Sequence, residues 1–521
     1  IFLSPNDDNG YDISDYREIM REFGTMEDFD RLLKEIHKRE MRLVLDLVVN
    51  HTSDEHPWFE EARKSRHNPY YNYYHWWPAE KGEPPLRLSY FDEEGNAWTY
   101  NKPTDSYYLH YFSRKQPDLN WENPEVRQEI FDMMRFWFDK GIDGFRMDSI
   151  SLIAKDPSFP LIDSKKYPDI FSFYAKEPRL HLYLHEMNRQ VLSKYDCMSV
   201  GEGSAVMVDD VAKFVDPARE ELNMLYHFDA ARIRNTTLPD NPESGIDYSL
   251  IALKKMFTEW DKAIDKGWPS IYLGNHDQPR MVSRFGSDKD EFRALSTKML
   301  ITFLLTMRGT PYWFAGDEIG MRNIRFDRIE DYNDIDTINR YKKAKAEGKD
   351  PQAVLDEQKE TGRDNARTPF QWDRSPEAGF TAGTPWLKVN PDYTWINVAD
   401  EEKDPTSILN YFKKVVSFRK ENPSLIYGSY HLLDAENPQS YTFLRKTGAD
   451  TYLIMLNFSH KAAISTPGID MSNAHVLLDN YGDRSHMAPQ KDITLRPFEA
   501  IVFQLNHPVY ESFIDSLDLL E

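Results

Sequence analysis

The feature that most constrains the fold is a series of apolar, strand-like runs that alternate with amphipathic stretches. The runs occupy residues 41–51, 141–148, 197–202, 225–230, 269–277 and 310–318. Between them lie segments such as NPEVRQEIFDMMRFWFDK (123–140), in which apolar residues recur at helical spacing. Strands that alternate with helices form parallel sheets. The pattern therefore predicts an α/β chain with a (β/α)8 TIM barrel, whose polar strand ends form a site on the C-terminal face.

The number of runs bears on how much of the barrel the sequence contains. A closed barrel of this kind needs eight strands, and the sequence shows six. The chain begins with Ile1, in the apolar run IFLSP, rather than with methionine. We therefore expect the first two barrel strands to precede residue 1, which makes the run 41–51 the third strand.

Two long connections and a change of pattern divide the rest of the chain. Residues 52–118 are rich in Tyr, Trp, Pro and Asn, and we predict an inserted subdomain there, after strand 3. A second long connection, about 322–385, contains the motif GRDNARTPFQW. Short alternating strands over 428–521 predict a C-terminal antiparallel, sandwich-like β-domain. The catalytic barrel would then comprise residues 1–51 and 119–427.

Composition and charge exclude several classes of protein. The net charge of −22 at pH 7 repels phosphate backbones and anionic membranes, so we expect neither nucleic acid nor a membrane as a partner. The sequence has no apolar run of the length that spans a bilayer. The single cysteine, Cys197, can form no disulfide within the chain, which favours a cytoplasmic location.

Polar residues close four of the predicted strands. They are Asp46 with Asn50 and His51, Arg146 with Asp148, Glu202, and His276 with Asp277. A single acid at a strand end is often a cap, and Arg146 with Asp148 could be a buried ion pair that serves packing. Four such ends at one barrel face favour a functional site, because burying several carboxylates together is costly without compensating cations and hydrogen bonds.

The residue types narrow the chemistry. The sequence contains no HExxH or Cys/His zinc pattern, no GxxxxGK[ST] or GxGxxG phosphate loop, and no GxSxG elbow. What remains is carboxylates, histidines, arginines and aromatic side chains, and the last are 14% of all residues. Such a set suits a small, neutral, polyhydroxyl ligand, and two carboxylates suffice to cleave a glycosidic bond.

Seven motifs then identify a family that the chain resembles. They are SPNDDNGYDISDY (4–16), DLVVNH (46–51), QPDLN (116–120), GFRMD (144–148), GE (201–202), NHD (275–277) and GRDNARTPFQW (362–372). In type and order they resemble the α-amylase superfamily of glycoside hydrolases (family 13), and within it the oligo-1,6-glucosidase and α-glucosidase group. The resemblance implies a retaining, exo-acting α-glucosidase. Its substrates would be short oligosaccharides or sucrose, from which it releases terminal α-1,4- or α-1,6-linked glucose through a glucosyl–enzyme intermediate.

The resemblance assigns catalytic roles to three carboxylates. Asp148 would be the nucleophile, and Glu202 would protonate the leaving oxygen and then deprotonate water. Asp277 would bind sugar hydroxyls and favour the oxocarbenium-like state. A retaining pair has its carboxyl groups about 5–5.5 Å apart. Arg146 would keep Asp148 ionised and orient it.

Other matching positions would bind the substrate. Asp8, Tyr11 and Arg363 correspond to residues that close the terminal-glucose pocket, where a carboxylate–arginine pair blocks longer chains. Their alternative interpretation is a structural salt bridge beside a packed tyrosine. The further expected contacts are His51 and His276 to sugar hydroxyls, Asp46 as an orienting residue, and Arg280, Phe112 and Gln116 as pocket walls.

Two positions depart from the family pattern. Valine after the nucleophile accompanies α-1,6 cleavage in the family, and smaller residues accompany α-1,4 cleavage. Ser149 is small and polar, so it predicts α-1,4 or mixed preference. Gly203 gives GEGSAV in place of a GETxGV-like motif, and this difference concerns the subsite for the next sugar.

Two other functions remain open. Sucrose isomerases share the scaffold and a stretch like LHEMNRQVLSKYD (184–196), so a sucrose isomerase or transglucosidase is the first alternative. The corresponding stretch RIRNTTLPDN (232–241) lacks their RLDRD element. A non-catalytic transporter-partner subunit is more remote, because such proteins typically lose the catalytic acids.

The expected partners are few. We expect a small carbohydrate substrate, no required cofactor and no assigned metal ligand. A calcium-like structural ion would have its place only in a segment before residue 1. We expect a monomer, with a homodimer as the alternative.

Overall fold

The computed structural model describes residues 1–91, 95–167, 169–448, 450–485 and 490–505, with the backbone alone at residues 234 and 235. The chain divides into two compact units. Unit 1 comprises residues 1–228, 263–268 and 338–349, and unit 2 comprises residues 229–262, 269–337 and the chain from residue 350 onward.

Three sheets account for the strands in the described part of unit 1. The strands are β1 (Phe2–Leu3), β2 (Asp15–Ile19), β3 (Val44–Val48), β4 (Trp76–Pro78), β5 (Trp98–Asn101), β6 (Ser106–Leu109), β7 (Gly144–Asp148), β8 (Met198–Glu202) and β9 (Met224–Tyr226). A parallel sheet has the order β3-β7-β8-β9. β1 pairs with β2, and β4, β6 and β5 form an antiparallel sheet within the predicted insertion.

The helices of unit 1 are α1 (Met26–Lys38), α2 (Pro57–Ala62), α3 (Pro124–Lys140), α4 (Phe171–Tyr174), α5 (Arg179–Gln190) and α6 (Val211–Val215). α1 begins after Thr25 with a capping box, in which the Thr25 hydroxyl accepts from the N–H of Asp28 while the Asp28 carboxylate accepts from the N–H of Thr25. α3 begins after the cap Asn123 and ends at Gly141, which has a left-handed φ of 105°.

Unit 2 contains a parallel pair of strands and a larger antiparallel sheet. Its strands are β10 (Ser270–Ile271), β11 (Thr310–Pro311), β12 (Ser429–Leu433), β13 (Ser440–Thr447), β14 (Asp450–Asn457), β15 (Ala463–Ser465), β16 (His475–Asp479), β17 (Ile493–Leu495) and β18 (Ala500–Leu505). β10 pairs with β11, the large sheet has the order β12-β13-β14-β18-β16, and β15 pairs with β17.

The remaining helices begin in unit 2. They are α7 (Asp229–Thr236), α8 (Leu250–Ala263), α9 (Met281–Phe285), α10 (Asp290–Thr306), α11 (Ile335–Ala346), α12 (Pro351–Thr361), α13 (Val398–Glu401), α14 (Ile408–Glu421) and α15 (Ser424–Tyr427). None of the described helices in either unit combines the length and the apolar composition needed to cross a membrane.

Each of the six predicted barrel runs overlaps a strand, every strand is shorter than its run, and β10 and β11 are the shortest, with two residues each. β10 covers two residues of the run 269–277 because the polar residues that follow it turn. The Asn275 side chain accepts from the N–H of Asp277, and its carbonyl accepts from the N–H of Gln278. Asparagine favours such turns by bonding to its own local backbone.

The predicted C-terminal strands are confirmed as β12 to β18. Their apolar side chains form a core of their own, which includes Leu444, Leu453, Ile501 and Phe503. Residues 506–521 of the predicted domain lie outside the described residues. The bounds proposed for the inserted and C-terminal domains stay a prediction.

Two strands of the parallel sheet approach closely at a glycine. The register pairs Gly144 of β7 with Met198 of β8. A Cβ at position 144 would lie inside contact distance of the Met198 carbonyl oxygen, which is backbone and cannot move alone. Because β7 ends at Asp148 and β8 ends at Glu202, this close approach also sets the spacing of two predicted catalytic carboxylates.

We expect Gly144→Ala to destabilise the protein and to impair activity. Forcing β7 away from β8 should cost about 1–3 kcal/mol of unfolding free energy, as overpacking does in other cores. Denaturant unfolding and a glucosidase assay measure the two effects. Gly383→Ala is the matched control, because a Cβ there would meet only the Thr381 hydroxyl, at an ordinary 3.7 Å. Equal stability and activity of the two variants would contradict the importance of this close approach.

Candidate active site

Arg146 joins three predicted carboxylates at the end of the parallel sheet. Its Nη1 donates to Asp46 Oδ1 at 2.8 Å and to Asp148 Oδ1 at 2.7 Å, and its Nη2 donates to Glu202 Oε2 at 2.5 Å. The strand register causes this meeting, because it pairs Asp46 with Arg146 and Met147 with Gly201, the residue before Glu202. One guanidinium therefore holds the proposed nucleophile and the proposed acid side by side.

The charges in this cluster do not balance. Three carboxylates surround one guanidinium, and the side chains of Asp148 and Glu202 are only 11% and 9% exposed. Burial raises the pKa of Asp148, Arg146 opposes that rise, and the hydrogen-bonded Glu202 carboxyl adds to it. The expectation that Arg146 alone keeps Asp148 ionised is therefore incomplete. Arg146 does not cancel the effect of burial, Glu202 and Asp46, which together raise the pKa of Asp148.

Three further groups help to orient Asp148 and Glu202, and none of the sequence motifs predicted this role for them. The Tyr226 hydroxyl accepts from Arg146 Nη2 at 2.6 Å and from Nε at 3.0 Å. The Ser204 hydroxyl donates to Glu202 Oε1 at 2.7 Å, and the N–H of Ser149 donates to Oε2 at 3.3 Å. Ser149 has a left-handed backbone, with φ of 44°.

The glycine at position 203 is explained by the close approach of the residue after β8 to the end of β9. Its N–H donates to the Tyr226 carbonyl at 2.8 Å. A Cβ at this position would lie 2.5 Å from the Leu225 side chain and 2.9 Å from the Tyr226 carbonyl. Glycine thus allows the chain after Glu202 to pass close to Tyr226.

The predicted pocket residues near the N-terminus contact one another within unit 1. Gln116 Nε2 donates to Asp8 Oδ2 at 3.2 Å, and the Tyr11 hydroxyl donates to Asp46 Oδ2 at 3.2 Å. The Arg146 guanidinium lies over the Tyr11 ring, 5.6 Å from its centroid. The chain from Asp8 to Tyr11 is therefore connected directly to the Arg146 cluster.

His51 is buried and neutral. Burial lowers its pKa to about 4. Its Nε2 lies 2.9 Å from the Tyr11 carbonyl oxygen, which fixes Nε2 as the protonated nitrogen, and its Nδ1 accepts from the Asn50 amide at 3.3 Å. Phe112 packs against the ring with centroids 5.0 Å apart. The ring is thus held by protein groups, and its predicted contact with a sugar hydroxyl stays a prediction.

A buried ion pair that no sequence motif predicted is linked to His51 through Asn50. Lys155 Nζ lies 3.1 Å from Asp118 Oδ2, and both side chains are almost fully buried. The Asn50 side chain bonds to both members, because its amide donates to Asp118 and its carbonyl accepts from Lys155. Asp118 lies in the QPDLN motif, but no signal in the sequence pairs it with Lys155.

In unit 2, two arginines hold Asp277. Arg363 Nη1 lies 3.2 Å and Arg367 Nη2 lies 3.1 Å from Asp277 Oδ1. Arg367 Nε also donates to the His276 carbonyl at 2.9 Å, and His276 Nε2 lies 3.3 Å from Asp277 Oδ2. The motif GRDNARTPFQW contains both arginines, four residues apart, but only Arg363 was predicted to bind the substrate.

Asp334 completes this group from behind the arginines. Its Oδ1 accepts from Arg363 Nε at 2.7 Å, and its Oδ2 accepts from the N–H of Thr337 at 2.9 Å. Burial opposes the ionisation of Asp334, but Arg363 and Arg367 outweigh it and hold its pKa below the usual value. Asp364 Oδ1 lies 3.9 Å from Arg367 Nη1, so three carboxylates contact the two arginines in unit 2.

Arg280 is placed differently from the expectation of a pocket wall. Its side chain is fully buried and donates to the carbonyl oxygens of Ala315 and Ala366 at 2.7 and 3.0 Å. Asp317 lies 3.6 Å from it. Arg280 ties two chain segments together, because a buried guanidinium must satisfy its donors.

The structure places the predicted site residues in two sets. Those from Asp8 to Glu202 lie in unit 1, whereas His276, Asp277, Arg280 and Arg363 lie in unit 2. In the part of the chain that the structure describes, no three His, Cys, Asp or Glu side chains are placed to bind a metal ion. The stretch 232–241, compared above with the isomerase element, includes residues 234 and 235, whose side chains lie outside the described residues.

Comparisons with known proteins agree with this geometry. A family model for the alpha-amylase catalytic domain matches residues 1–428. The oligo-1,6-glucosidase of Parageobacillus thermoglucosidasius is 50% identical over 98% of this chain and 91% of its own. That of Bacillus cereus is 47% identical over 97% of this chain and 90% of its own.

Solved structures extend the likeness to the fold. An isomaltulose synthase mutant from Erwinia rhapontici NX5, in complex with sucrose, has a TM-score of 0.91 and 42% identity, covering 97% of this chain and 90% of that one. The fold class is therefore a (β/α)8 barrel followed by a C-terminal antiparallel β-sheet. A carbohydrate substrate follows for an enzyme of this kind. The chain belongs to the alpha-amylase family of glycoside hydrolases.

Proposed function

We propose that the protein is a retaining, exo-acting α-glucosidase that releases terminal α-1,6- and α-1,4-linked glucose from short oligosaccharides. The observation that carries the proposal is the buried Asp148–Glu202 pair bridged by Arg146. Retaining glycosidases use two carboxyl groups that lie close together, one as nucleophile and one as acid and then base. A shared proton on such a pair supplies both forms at once.

The first step forms the glucosyl–enzyme intermediate. An oxygen of ionised Asp148 bonds to the anomeric carbon while the bond from that carbon to the leaving oxygen breaks. The leaving oxygen takes the bonding electrons together with the proton of Glu202. The Arg146 donor that remains on Glu202 Oε2 stabilises the carboxylate that this step creates.

The second step releases glucose. Ionised Glu202 removes a proton from water, and the water oxygen bonds to the anomeric carbon as the bond to Asp148 breaks. Two inversions at one carbon give net retention. Asp277 would bind glucose hydroxyls throughout, and the two arginines that contact its carboxylate support the proposal because they hold that carboxylate in one place.

We propose that Asp8, Tyr11 and Arg363 close the pocket for the terminal glucose and thereby restrict the enzyme to exo-action. The contact of Tyr11 with Asp46 supports this role, because it connects Tyr11 to the Arg146 cluster, and Asp8 lies three residues earlier in the chain, where it contacts Gln116. The similarity to relatives named oligo-1,6-glucosidases supports cleavage of α-1,6 bonds, and the small side chain of Ser149 supports cleavage of α-1,4 bonds. We therefore propose that the enzyme cleaves both kinds of bond.

The sucrose isomerase alternative is favoured by one observation, the likeness to a structure of an isomaltulose synthase bound to sucrose. Hydrolase and isomerase share the first step. They differ in whether water or the released fructose attacks the intermediate. We also propose a cytoplasmic monomer with no required cofactor, which the single cysteine supports for the location.

The substrate and the stereochemistry are tested together. We expect α-glucose, seen as its anomeric proton by NMR in the first minutes, when the protein is incubated with isomaltose or maltose. Sucrose and trehalose serve as parallel incubations. A new glucosyl-fructose from sucrose alone would establish the isomerase instead, and early β-glucose beyond the amount that the reducing-end glucose supplies would overturn the retaining mechanism.

The roles of the carboxylates are tested by substitution. Asp148→Asn should lower kcat by several orders of magnitude on every substrate, because it removes the nucleophile. Glu202→Gln should retain far more activity on an aryl glucoside with an acidic phenol than on isomaltose, because a good leaving group needs no proton. Asp209→Asn, an exposed acid seven residues after Glu202, is the control and should match the unsubstituted protein. Equal losses on both substrates for Glu202→Gln would contradict its role as acid.

Arg367 is tested as a support of Asp277. Arg367→Lys keeps the charge but cannot donate at once to Asp277 and to the His276 carbonyl. We expect kcat/KM to fall by about 10- to 100-fold, which corresponds to a charge-assisted hydrogen bond of about 1.5–3 kcal/mol. Arg374→Lys, an exposed arginine in the same segment, should leave kcat/KM unchanged. An unchanged value for Arg367→Lys would show that Arg363 alone suffices.

A further inference from the structure

We propose that Asp12 is a positioning residue for the terminal-glucose pocket, because its buried carboxylate fixes the loop of residues 4–12 that presents Asp8 and Tyr11. The inference rests on the proposed exo-acting function. It assigns a part in the reaction to a residue that touches neither the reacting atoms nor any of the catalytic carboxylates.

The Asp12 carboxylate collects three donors from its own loop. Oδ1 accepts from the Ser4 hydroxyl at 3.0 Å and from the N–H of Asp8 at 3.1 Å, and Oδ2 accepts from the N–H of Asp7 at 2.9 Å. The Asp12 side chain has no solvent exposure. The loop is thus closed around one internal anion.

The shape of the loop needs such an anchor. Asn6, Asn9 and Gly10 have left-handed φ values of 67°, 50° and 91°. Residues other than glycine persist in this region only where surrounding interactions determine the conformation, although asparagine tolerates it better than most. The bonds to Asp12 are interactions of that kind, because all three span Asn9 and Gly10, and the bond from Ser4 spans Asn6 as well.

The outer side of the loop carries the groups of the proposed pocket. The Asp8 carboxylate accepts from Gln116, and the Tyr11 hydroxyl donates to Asp46. The Tyr11 carbonyl accepts from His51 Nε2. Through these three contacts a shift of the loop would move both pocket residues relative to the Arg146 cluster.

The electrostatics argue that stability is not the reason for this carboxylate. Burial raises the pKa of Asp12 to about 6, against the three hydrogen bonds, and the neighbouring Asp7 raises it further. A raised pKa in the folded state favours the protonated form, so the stability that Asp12 contributes is lost as the pH rises through about 6. At neutral pH the ionised group therefore weakens the fold, while its charged oxygens are stronger acceptors for the three donors than a protonated carboxyl would be.

The test compares four single variants of the full chain, and the double variant of Asp8→Ala with Asp12→Asn, on isomaltose or maltose, whichever is cleaved faster. In Asp12→Asn one acceptor oxygen becomes a donor, in Ser4→Ala a single bond is lost, and Asp8→Ala removes a pocket residue. Asp15→Asn is the matched control, because Asp15 lies in the same motif and accepts only a local bond from the N–H of Arg17. The readouts are kcat, KM, the inhibition constant of glucose and the thermal midpoint at pH 7.5.

We expect Asp12→Asn to raise KM and the glucose inhibition constant by about tenfold or more, the effect of losing one charge-assisted bond. Its kcat should change by less than about threefold, and its thermal midpoint should not fall. Ser4→Ala should show a smaller shift in the same direction, and Asp15→Asn none. In the Asp8→Ala background the effect of Asp12→Asn should shrink, because residues that act through one another are not additive.

The outcomes separate this inference from the proposed function. If Asp8→Ala raises KM and Asp12→Asn does not, the positioning role is wrong and exo-action stands. If Asp12→Asn lowers the thermal midpoint and Ser4→Ala leaves KM unchanged, Asp12 is structural and the inference is overturned. If Asp8→Ala leaves KM unchanged, the pocket itself is wrong and the inference falls with it.

Discussion

The interaction on which the site depends is the meeting of one guanidinium with three carboxylates at the ends of neighbouring parallel strands. Parallel pairing in register brings Asp46, Arg146 and the chain at Glu202 to one edge, and the missing side chain of Gly144 lets β7 and β8 approach closely enough. Removing Arg146 would leave these acids without a cation in a largely buried place, which proteins avoid. The strand geometry and the placement of the charged side chains therefore depend on each other.

The two units treat their acids differently. In unit 1 three carboxylates share one arginine, and burial together with the neighbouring acids raises the pKa of Asp148. In unit 2 two arginines, Arg363 and Arg367, both contact the Asp277 carboxylate, and the same arginines also contact Asp334 and Asp364. One shared arginine suits the proposed exchange of a proton by Asp148 and Glu202. Two arginines on one carboxylate suit the proposed role of Asp277 in binding hydroxyls.

The sequence predicted the residues that carry chemistry better than the residues that hold them. Motifs with fixed spacing pointed to Asp148, Glu202 and Asp277, and strand periodicity placed two of them at strand ends. The supporting residues lie far apart in the chain, as Asp334 does from Arg367 and Lys155 does from Asp118, and only the folded chain brings them together. Arg280 shows the opposite case, because a motif position beside NHD proved to be a buried tie between backbone carbonyls.

Ser149 shows why a single position can carry two effects. It follows the nucleophile with a φ of 44°, and this turn lets its N–H donate to Glu202. A β-branched residue is a genuine outlier at such an angle, whereas serine accepts it more easily. The valine that accompanies α-1,6 cleavage in the family would therefore change the space beside the sugar and also strain the peptide that orients the acid. Through this peptide, the proposed effect of position 149 on linkage preference is coupled to the geometry of Glu202.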